Sequence, residues 1–292
     1  MKLPQFHYFE PKSIEKACSL LTRYGAEASL LAGGTDLLVK MKQRRLVPGY
    51  VINLKRIPEL DYIRYDESDG LRIGALATIQ AIKNSIVVKR NFRVLNEAAG
   101  VESSVQIRNR ATIAGNIANA SPAADAPLAL LTLGGSVVLA RADGQREMSI
   151  EDFLTGPGQT ALGPGEVIRE IHVPPLLPGS GGAYVKHAVR RTDIAIVSAS
   201  VVLSLANGVC AHARIGLGSV APTAVRARKG EEALEGQKVT DEIVRQAAEA
   251  AAGEASPIDD IRAYAQYRIL ALKAAVERAI SEAVRDARFG GA

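Results

Sequence analysis

Between Pro174 and Gly182 the chain carries Pro174, Pro175, Pro178, Gly179, Gly181 and Gly182. Proline removes a backbone donor and fixes φ, and glycine weakens any regular element, so neither a helix nor a central strand should cross this stretch. The chain therefore divides there, and a length of 292 residues already suggests two domains. The residues before the break read as mixed helix and strand. Those after it read as strands and then helices, so the expected class is α+β with a boundary near residue 178.

Local patterns place the elements. Ile14, Ala17, Cys18, Leu20 and Leu21 fall on one helical face, with Ser13 as N-cap and Gly25 just past the end. Ala28–Leu31 and Tyr50–Leu54 read as short buried strands, separated by a Gly33-Gly34 turn and a helix through Leu37–Val39. Leu71–Ala75 reads as a strand, Thr78 caps a helix, and 84–100 is helical. Residues 101–120 break pattern, before an apolar helix from Ala126 to Leu133. Val137–Ala140 and Val167–Val173 are further strands. Ala183–Leu205 and Ala211–Gly218 alternate like antiparallel strands, and Asp241–Arg288 is helical with a break near Gly253–Pro257. In this tail Ala263, Tyr264, Tyr267, Leu270, Ala271, Ala274 and Ala275 form an apolar stripe, expected to pack within the domain.

Several functions are disfavoured. The excess of Lys+Arg over Asp+Glu is five, and the basic clusters at 40–45 and 226–229 lack interleaved aromatics, so they read as solvated faces and not as a nucleic-acid surface. Cys18 and Cys210 are too far apart for a Cys-x-x-Cys cluster and too few for a disulfide framework, which points to a reducing, cytoplasmic setting. The opening residues have no apolar core of a signal peptide, and no run of uncharged apolar residues is long enough to span a bilayer. His7, His172, His187 and His212 lack metal-ligand spacing, so no metal site is assigned. Gly216-Leu217-Gly218 has no third glycine and does not open a helix, which makes it a poor dinucleotide fingerprint.

Two other segments carry the chemistry. In Leu31-Ala32-Gly33-Gly34-Thr35-Asp36 a strand runs into two glycines, a hydroxyl and a carboxylate. Residues without side chains let backbone N–H groups approach an anion such as a diphosphate. The plain alternative is a strand-to-helix turn. The second segment, Thr112-Ile113-Ala114-Gly115-Asn116 and on to Asp125, is built of small and amide residues that make a poor core. Asn116 can donate and accept, and Asp125 suits a ribose hydroxyl or, in the plain alternative, caps the next helix. Two such segments in one domain favour a bound dinucleotide.

At these residues the sequence becomes recognisable. AGGTD at 32–36, QIRNRATIAGNIANASPAAD at 106–125, and KHAVRR at 186–191 followed by Asp193-Ile194-Ala195 closely resemble the FAD-binding medium subunit of the molybdenum hydroxylases. That family includes xanthine dehydrogenase and aerobic carbon monoxide dehydrogenase. FHYFEP, VINLKRIPEL, GLGSVAPTAVRA and SPIDDIRAYAQYR extend the resemblance over nearly the whole chain.

The resemblance implies an FAD-binding domain of the vanillyl-alcohol oxidase (PCMH) type at 1–178, with subdomains about 1–58 and 59–178. A C-terminal domain of three-stranded antiparallel sheet and helical bundle would occupy 179–292. Leu31, Ala32, Gly33, Gly34, Thr35 and Asp36 would hold the FAD diphosphate. Thr112, Ile113, Ala114, Gly115, Asn116 and Asp125 would line the rest of the cofactor, with further contacts at Ile168 and Lys186. The family usually has glycine where Ala114 stands; its methyl group is harmless at negative φ and crowded at positive φ.

The resemblance also implies partners. A large subunit with molybdopterin would oxidise the substrate (carbon monoxide, an aldehyde or an N-heterocycle), and a small subunit with two [2Fe-2S] clusters would relay electrons. FAD here would pass them to NAD, a quinone or oxygen. The three chains would form a heterotrimer that dimerises. No side chain is assigned as a catalytic acid, base or nucleophile. The alternatives are a stand-alone FAD-dependent oxidoreductase of the vanillyl-alcohol oxidase class, and a scaffold that has lost the cofactor.

Overall fold

The computed structural model describes residues 2–289. Strand β1 (His7–Phe9) leads into helix α1 (Ile14–Tyr24), strand β2 (Ala28–Leu31), helix α2 (Leu37–Lys42) and strand β3 (Tyr50–Asn53). The three strands form a small parallel sheet in the order β1-β3-β2. Parallel neighbours need a crossover: α2 lies in the one from β2 to β3, while α1 carries the chain from β1 to β2 on the far side of β3. The Ser13 hydroxyl accepts from the Lys16 N–H, Gly25 ends the helix at φ 51°, and Ile14, Ala17, Cys18 and Leu20 are buried. Cys18 is thus a core residue, as its periodicity predicts.

The chain continues through β4 (Ile63–Asp66), β5 (Gly70–Gly74) and a helical run: α3 (Ile79–Asn84), α4 (Ile86–Asn91), α5 (Arg93–Val101), α6 (Val105–Arg108), α7 (Ile113–Asn119) and α8 (Asp125–Thr132). Then come β6 (Ser136–Arg141), β7 (Gly144–Ser149), α9 (Ile150–Phe153), the ribbon β8 (Leu154–Gly156) and β9 (Gln159–Thr160), and β10 (Val167–Val173). A five-stranded antiparallel sheet results, ordered β4-β5-β10-β6-β7. Residues 101–120 are more helical than their composition predicts. Ser104 and Thr112 each cap a short helix through the side-chain oxygen, accepting from the N–H of Ile107 and Gly115.

The last part holds β11 (Ser180–His187), β12 (Val197–Ala206), β13 (Val209–Gly218), the two-residue β14 (Val225–Arg226), and helices α10 (Arg228–Leu234), α11 (Asp241–Ala252) and α12 (Ala265–Phe289). Three long antiparallel strands and a short edge strand make the sheet. It is covered on both faces. On β11 and β12, Ala183, Val185, Val201 and Leu203 point into a core shared with α11 and α12, while Tyr184 and Val202 point into the core of the preceding sheets and helices. Side chains alternate between faces, so one pair of strands joins both cores.

Two expectations are corrected. Gly181 and Gly182 do not interrupt a strand; they open β11. A β-carbon on Gly181 would lie 2.2 Å from the Ala287 nitrogen and 2.3 Å from the Ala283 carbonyl oxygen, so glycine is what lets α12 pack backbone to backbone on this strand. The tail stripe is also shifted. Of the stripe, Ala275 is buried and Ala263 and Ala271 are partly buried against the same core, but Tyr264, Tyr267, Leu270 and Ala274 are exposed, and α12 also buries Arg268, Leu272, Val276, Ala279, Ile280, Ala283 and Val284. The Arg268 guanidinium sets that rotation by donating to the Ile196 and Ser219 carbonyls and to Asp260. No described helix is long and apolar enough to cross a membrane.

Candidate functional site

The two glycine segments lie against each other. Gly33 comes one residue after β2 and packs on the backbone of Arg110 and Ala111, just before Thr112; a β-carbon on Gly33 would clash with the Arg110 carbonyl. Gly34 takes φ 80°, a left-handed conformation that glycine adopts without strain. A side-chain bridge ties the segments further along: Asn119 donates from Nδ2 to Asp36 Oδ1 at 3.3 Å and accepts from Lys40 Nζ at 2.8 Å. Lys55 donates to the Ala32 carbonyl, and burial beside Arg110 pulls its ammonium below the usual lysine range.

This geometry leaves donors free. Among the described residues, no backbone N–H of Gly33, Gly34 or Thr35 donates to a backbone carbonyl. Successive unpaired N–H groups on a loop form an anion-binding concavity. In the second segment Thr112 Oγ1 accepts from Gly115 N–H, which occupies that hydroxyl in capping α7. Ala114 lies inside α7 and is not among the residues with positive φ, so its methyl group does not crowd the backbone.

Behind the segments sits a buried polar cluster. Asp125, the first residue of α8, accepts from Lys186 Nζ and from the Tyr184 hydroxyl, at 2.8 and 2.7 Å. The Lys186 and Asp125 side chains are 5% and 4% exposed, so the lysine on β11 is neither a surface residue nor free. Burial pushes the Asp125 carboxyl up, against the opposing pull of Lys186 and Tyr184. Both Asp125 oxygens are engaged within the protein, which makes it an anchor joining α8 to β11. Lys186 also donates to the Val101 carbonyl at the end of α5.

Sequence reasoning missed Glu102. It follows α5, is 8% exposed, and accepts at Oε1 from Asn116 Nδ2 at 2.9 Å. Its Oε2 and the Oδ1 of Asn116 are buried with no partner. Burial, helped by the negative charges of Asp125 and Asp36 and opposed by Lys186, pushes the Glu102 carboxyl up to about 8. Ser103 next to it takes φ 47°, and Arg108 pins both residues by donating to their carbonyls. The only hint in the sequence is a carboxylate among small polar residues just before a capped turn. Ile168, the remaining expected contact, is buried on β10 opposite Leu139, in the strand that α7 packs against.

Two surface cavities of about 210 and 420 Å³ lie instead along the 174–182 connection, between Leu133, Leu176, Leu177 and Val202. Neither is lined by a residue of the glycine segments.

Paired side-chain-poor loops with free amides, backed by buried oxygens without partners, define a class: an α+β protein that cradles an anionic, polar cofactor. Comparison with known proteins gives the family. Residues 4–176 match the FAD binding domain in molybdopterin dehydrogenase, and residues 182–283 match the CO dehydrogenase flavoprotein C-terminal domain. The carbon monoxide dehydrogenase medium chain of Hydrogenophaga pseudoflava is 37% identical over 280 residues, covering 96% of this chain and 97% of that one. The nicotine 6-hydroxylase medium subunit of Paenarthrobacter nicotinovorans is 34% identical, covering 97% and 99%. Among solved structures, carbon monoxide dehydrogenase from H. pseudoflava superposes with a TM-score of 0.93 at 38% identity over 97% of this chain and 98% of that one. Quinoline 2-oxidoreductase from Pseudomonas putida 86 also gives 0.93, at 30% identity over 99% and 100%. The chain belongs to the FAD-binding medium subunits of the molybdenum hydroxylases, and is an oxidoreductase flavoprotein subunit whose cofactor is FAD.

Proposed function

We propose that this chain is the flavin module of a three-subunit molybdenum hydroxylase, receiving electrons from the [2Fe-2S] clusters of a small subunit and delivering them to an external acceptor. Substrate oxidation belongs to a large molybdopterin subunit. The observation that carries this reading is the junction of the two glycine segments, with Gly33 on Arg110 and Asp36 bridged to Asn119, in a chain whose two cysteines are separated and buried. FAD supplies the ability to take electrons singly and release them in pairs.

In this reading the chain's own residues bind and orient. The amides of Gly33, Gly34 and Thr35, flanked by Leu31, Ala32 and Asp36, hold the diphosphate. Thr112 to Asn116 line the cofactor, Ile168 packs behind α7, and the Lys186–Asp125 pair keeps α8 and β11 in place beneath it. The FAD-binding unit ends near residue 178, in two subdomains that meet near residue 58, and the second unit closes over it through β11. The relatives' names speak for an assembly and for an open substrate: they are medium chains and subunits of enzymes of carbon monoxide, nicotine and xanthine, at 37, 34 and 28% identity. Such similar identities across different substrates speak for substrate choice outside this chain.

The test is to express the full chain alone and with the large and small subunits from the same source. Alone, it should take up FAD and turn yellow, without iron or molybdenum. With its partners it should co-purify, and substrate added to the complex should bleach the flavin. A chain that bleaches directly with a substrate, unaided by partners, would contradict the proposal.

A further inference from the structure

The Glu102–Asn116 pair stands at the junction of both glycine segments, yet Glu102 has no role in holding the diphosphate or lining the cofactor. Asn116 belongs to the second segment, and Asp36 of the first is near enough to act on the Glu102 charge. Each member of the pair turns one oxygen inward to nothing: Oε2 of Glu102 and Oδ1 of Asn116 are buried and unpartnered. Buried polar atoms are normally satisfied, and the exceptions point to a missing partner. Resting on the FAD reading, we propose that Glu102 binds the cofactor as a neutral acid, its Oε2–H and the Asn116 Oδ1 forming a donor–acceptor pair for a polar group of FAD, so that cofactor and proton are taken up together.

The electrostatics of the surroundings support this. The groups facing Glu102 are Asp125 on α8, Asp36 after β2, Lys186 and Tyr184 on β11, and Arg108 on α6; the Tyr184 hydroxyl is neutral and donates to Asp125. Lys186 is paired with Asp125, and Arg108 gives its Nε to Gln80 and its Nη1 to the carbonyls of residues 102 and 103. Neither cation donates a hydrogen bond to the Glu102 carboxyl, whose one protein donor among the described residues is the Asn116 amide. The carboxyl of the free protein is accordingly raised, to about 8. Bound FAD adds two diphosphate charges and excludes water, and both effects favour the protonated acid further. Proton and cofactor therefore assist each other by linkage. Above about pH 8 the reaction is carboxylate plus FAD plus one solvent proton, giving the neutral acid in the complex.

The test is calorimetric titration of FAD into the full chain between about pH 6 and pH 9, in buffers of different ionisation enthalpy, which counts the protons taken up. For the native chain the affinity should be flat at the acid end. Above about pH 8 it should fall by up to tenfold per pH unit, with up to one proton taken up per FAD. Glu102→Gln keeps a donor and an acceptor without titrating, so it should bind FAD with no pH slope and no proton uptake in this range. A native chain that takes up no proton at the alkaline end overturns the inference. So does a Glu102→Gln variant that keeps the native slope, which would move the linkage to another group. Binding of FAD with no pH dependence leaves the cofactor reading intact while removing this one, whereas no binding at any pH removes both.

Discussion

The carbonyl of Arg110 leaves Gly33 no room for a side chain: a β-carbon there would stand 2.0 Å from that oxygen. Contact at this point makes one site of two segments almost eighty positions apart in sequence.

Gly33→Ala should therefore push the segments apart. Both groups in the clash are backbone, so the strain cannot be relieved by a rotamer change and should cost about 1–3 kcal/mol. Urea unfolding of the full chain measures the loss, and FAD titration of the still-folded variant should show weakened binding. An unchanged midpoint together with native FAD affinity would mean that the loops do not rest on one another in solution.

Lys186 and Asp125 form a buried pair that spans the two cores. Lys186→Met should cost about 3–5 kcal/mol, because it strands a carboxylate away from water. Adding Asp125→Asn should recover part of the loss, since no buried charge then remains. Chemical denaturation of the two variants checks this, and a double variant no more stable than Lys186→Met would argue against the pair.

Glu102 gives the free protein a pH dependence of definite sign. Its carboxyl is raised to about 8, so between the ordinary glutamate range and that value the folded chain holds a proton that the unfolded chain has released. Stability should fall as pH rises through this window, by up to about 1.4 kcal/mol per unit from this group. Glu102→Gln removes that contribution, so its advantage over the native chain should grow toward pH 8. Urea midpoints across the window test it; parallel curves for the two proteins would refute the assignment.

Ala120 ends α7 in the left-handed region, at φ 46°. Glycine is the usual residue there, and L-residues are strained by about 1–2 kcal/mol. Ala120→Gly should be neutral to stabilising by up to about 1 kcal/mol, once the added freedom of glycine in the unfolded chain is subtracted. A thermal melt showing clear destabilisation would mean that the Ala120 methyl, which is buried, contributes more by packing than it costs in strain.

The features legible in the sequence are those that depend on neighbours along the chain. Ser13, Gly25 and the apolar spacing of α1 locate that helix, and the apolar run Val167–Val173 is β10 with its observed ends. Strands β4 and β7 leave no such mark because they are edge strands of mostly exposed polar residues, IRYD and GQREMS, with no apolar signal. The α12 stripe is misplaced by apolar periodicity, which favours Tyr264 (76% exposed) and Leu270 (61% exposed), whereas the buried face is rotated around Arg268. No periodicity places an arginine inside; the distant carbonyls of Ile196 and Ser219, with Asp260 just before the helix, do. The glycine segments are readable as a cradle, but their contact is not. Glu102 is invisible for the same reason, since its burial comes from α7, α8 and β11 converging on the end of α5.

The most direct test of the cradle is hydrogen–deuterium exchange of the full chain with and without FAD, because main-chain amides are the proposed ligands. The account predicts that FAD slows exchange at Gly33–Asp36 and across Thr112–Asn116 together, leaving the 174–182 connection unchanged. Protection confined to that connection and its cavities, with both glycine segments exchanging as before, would contradict it.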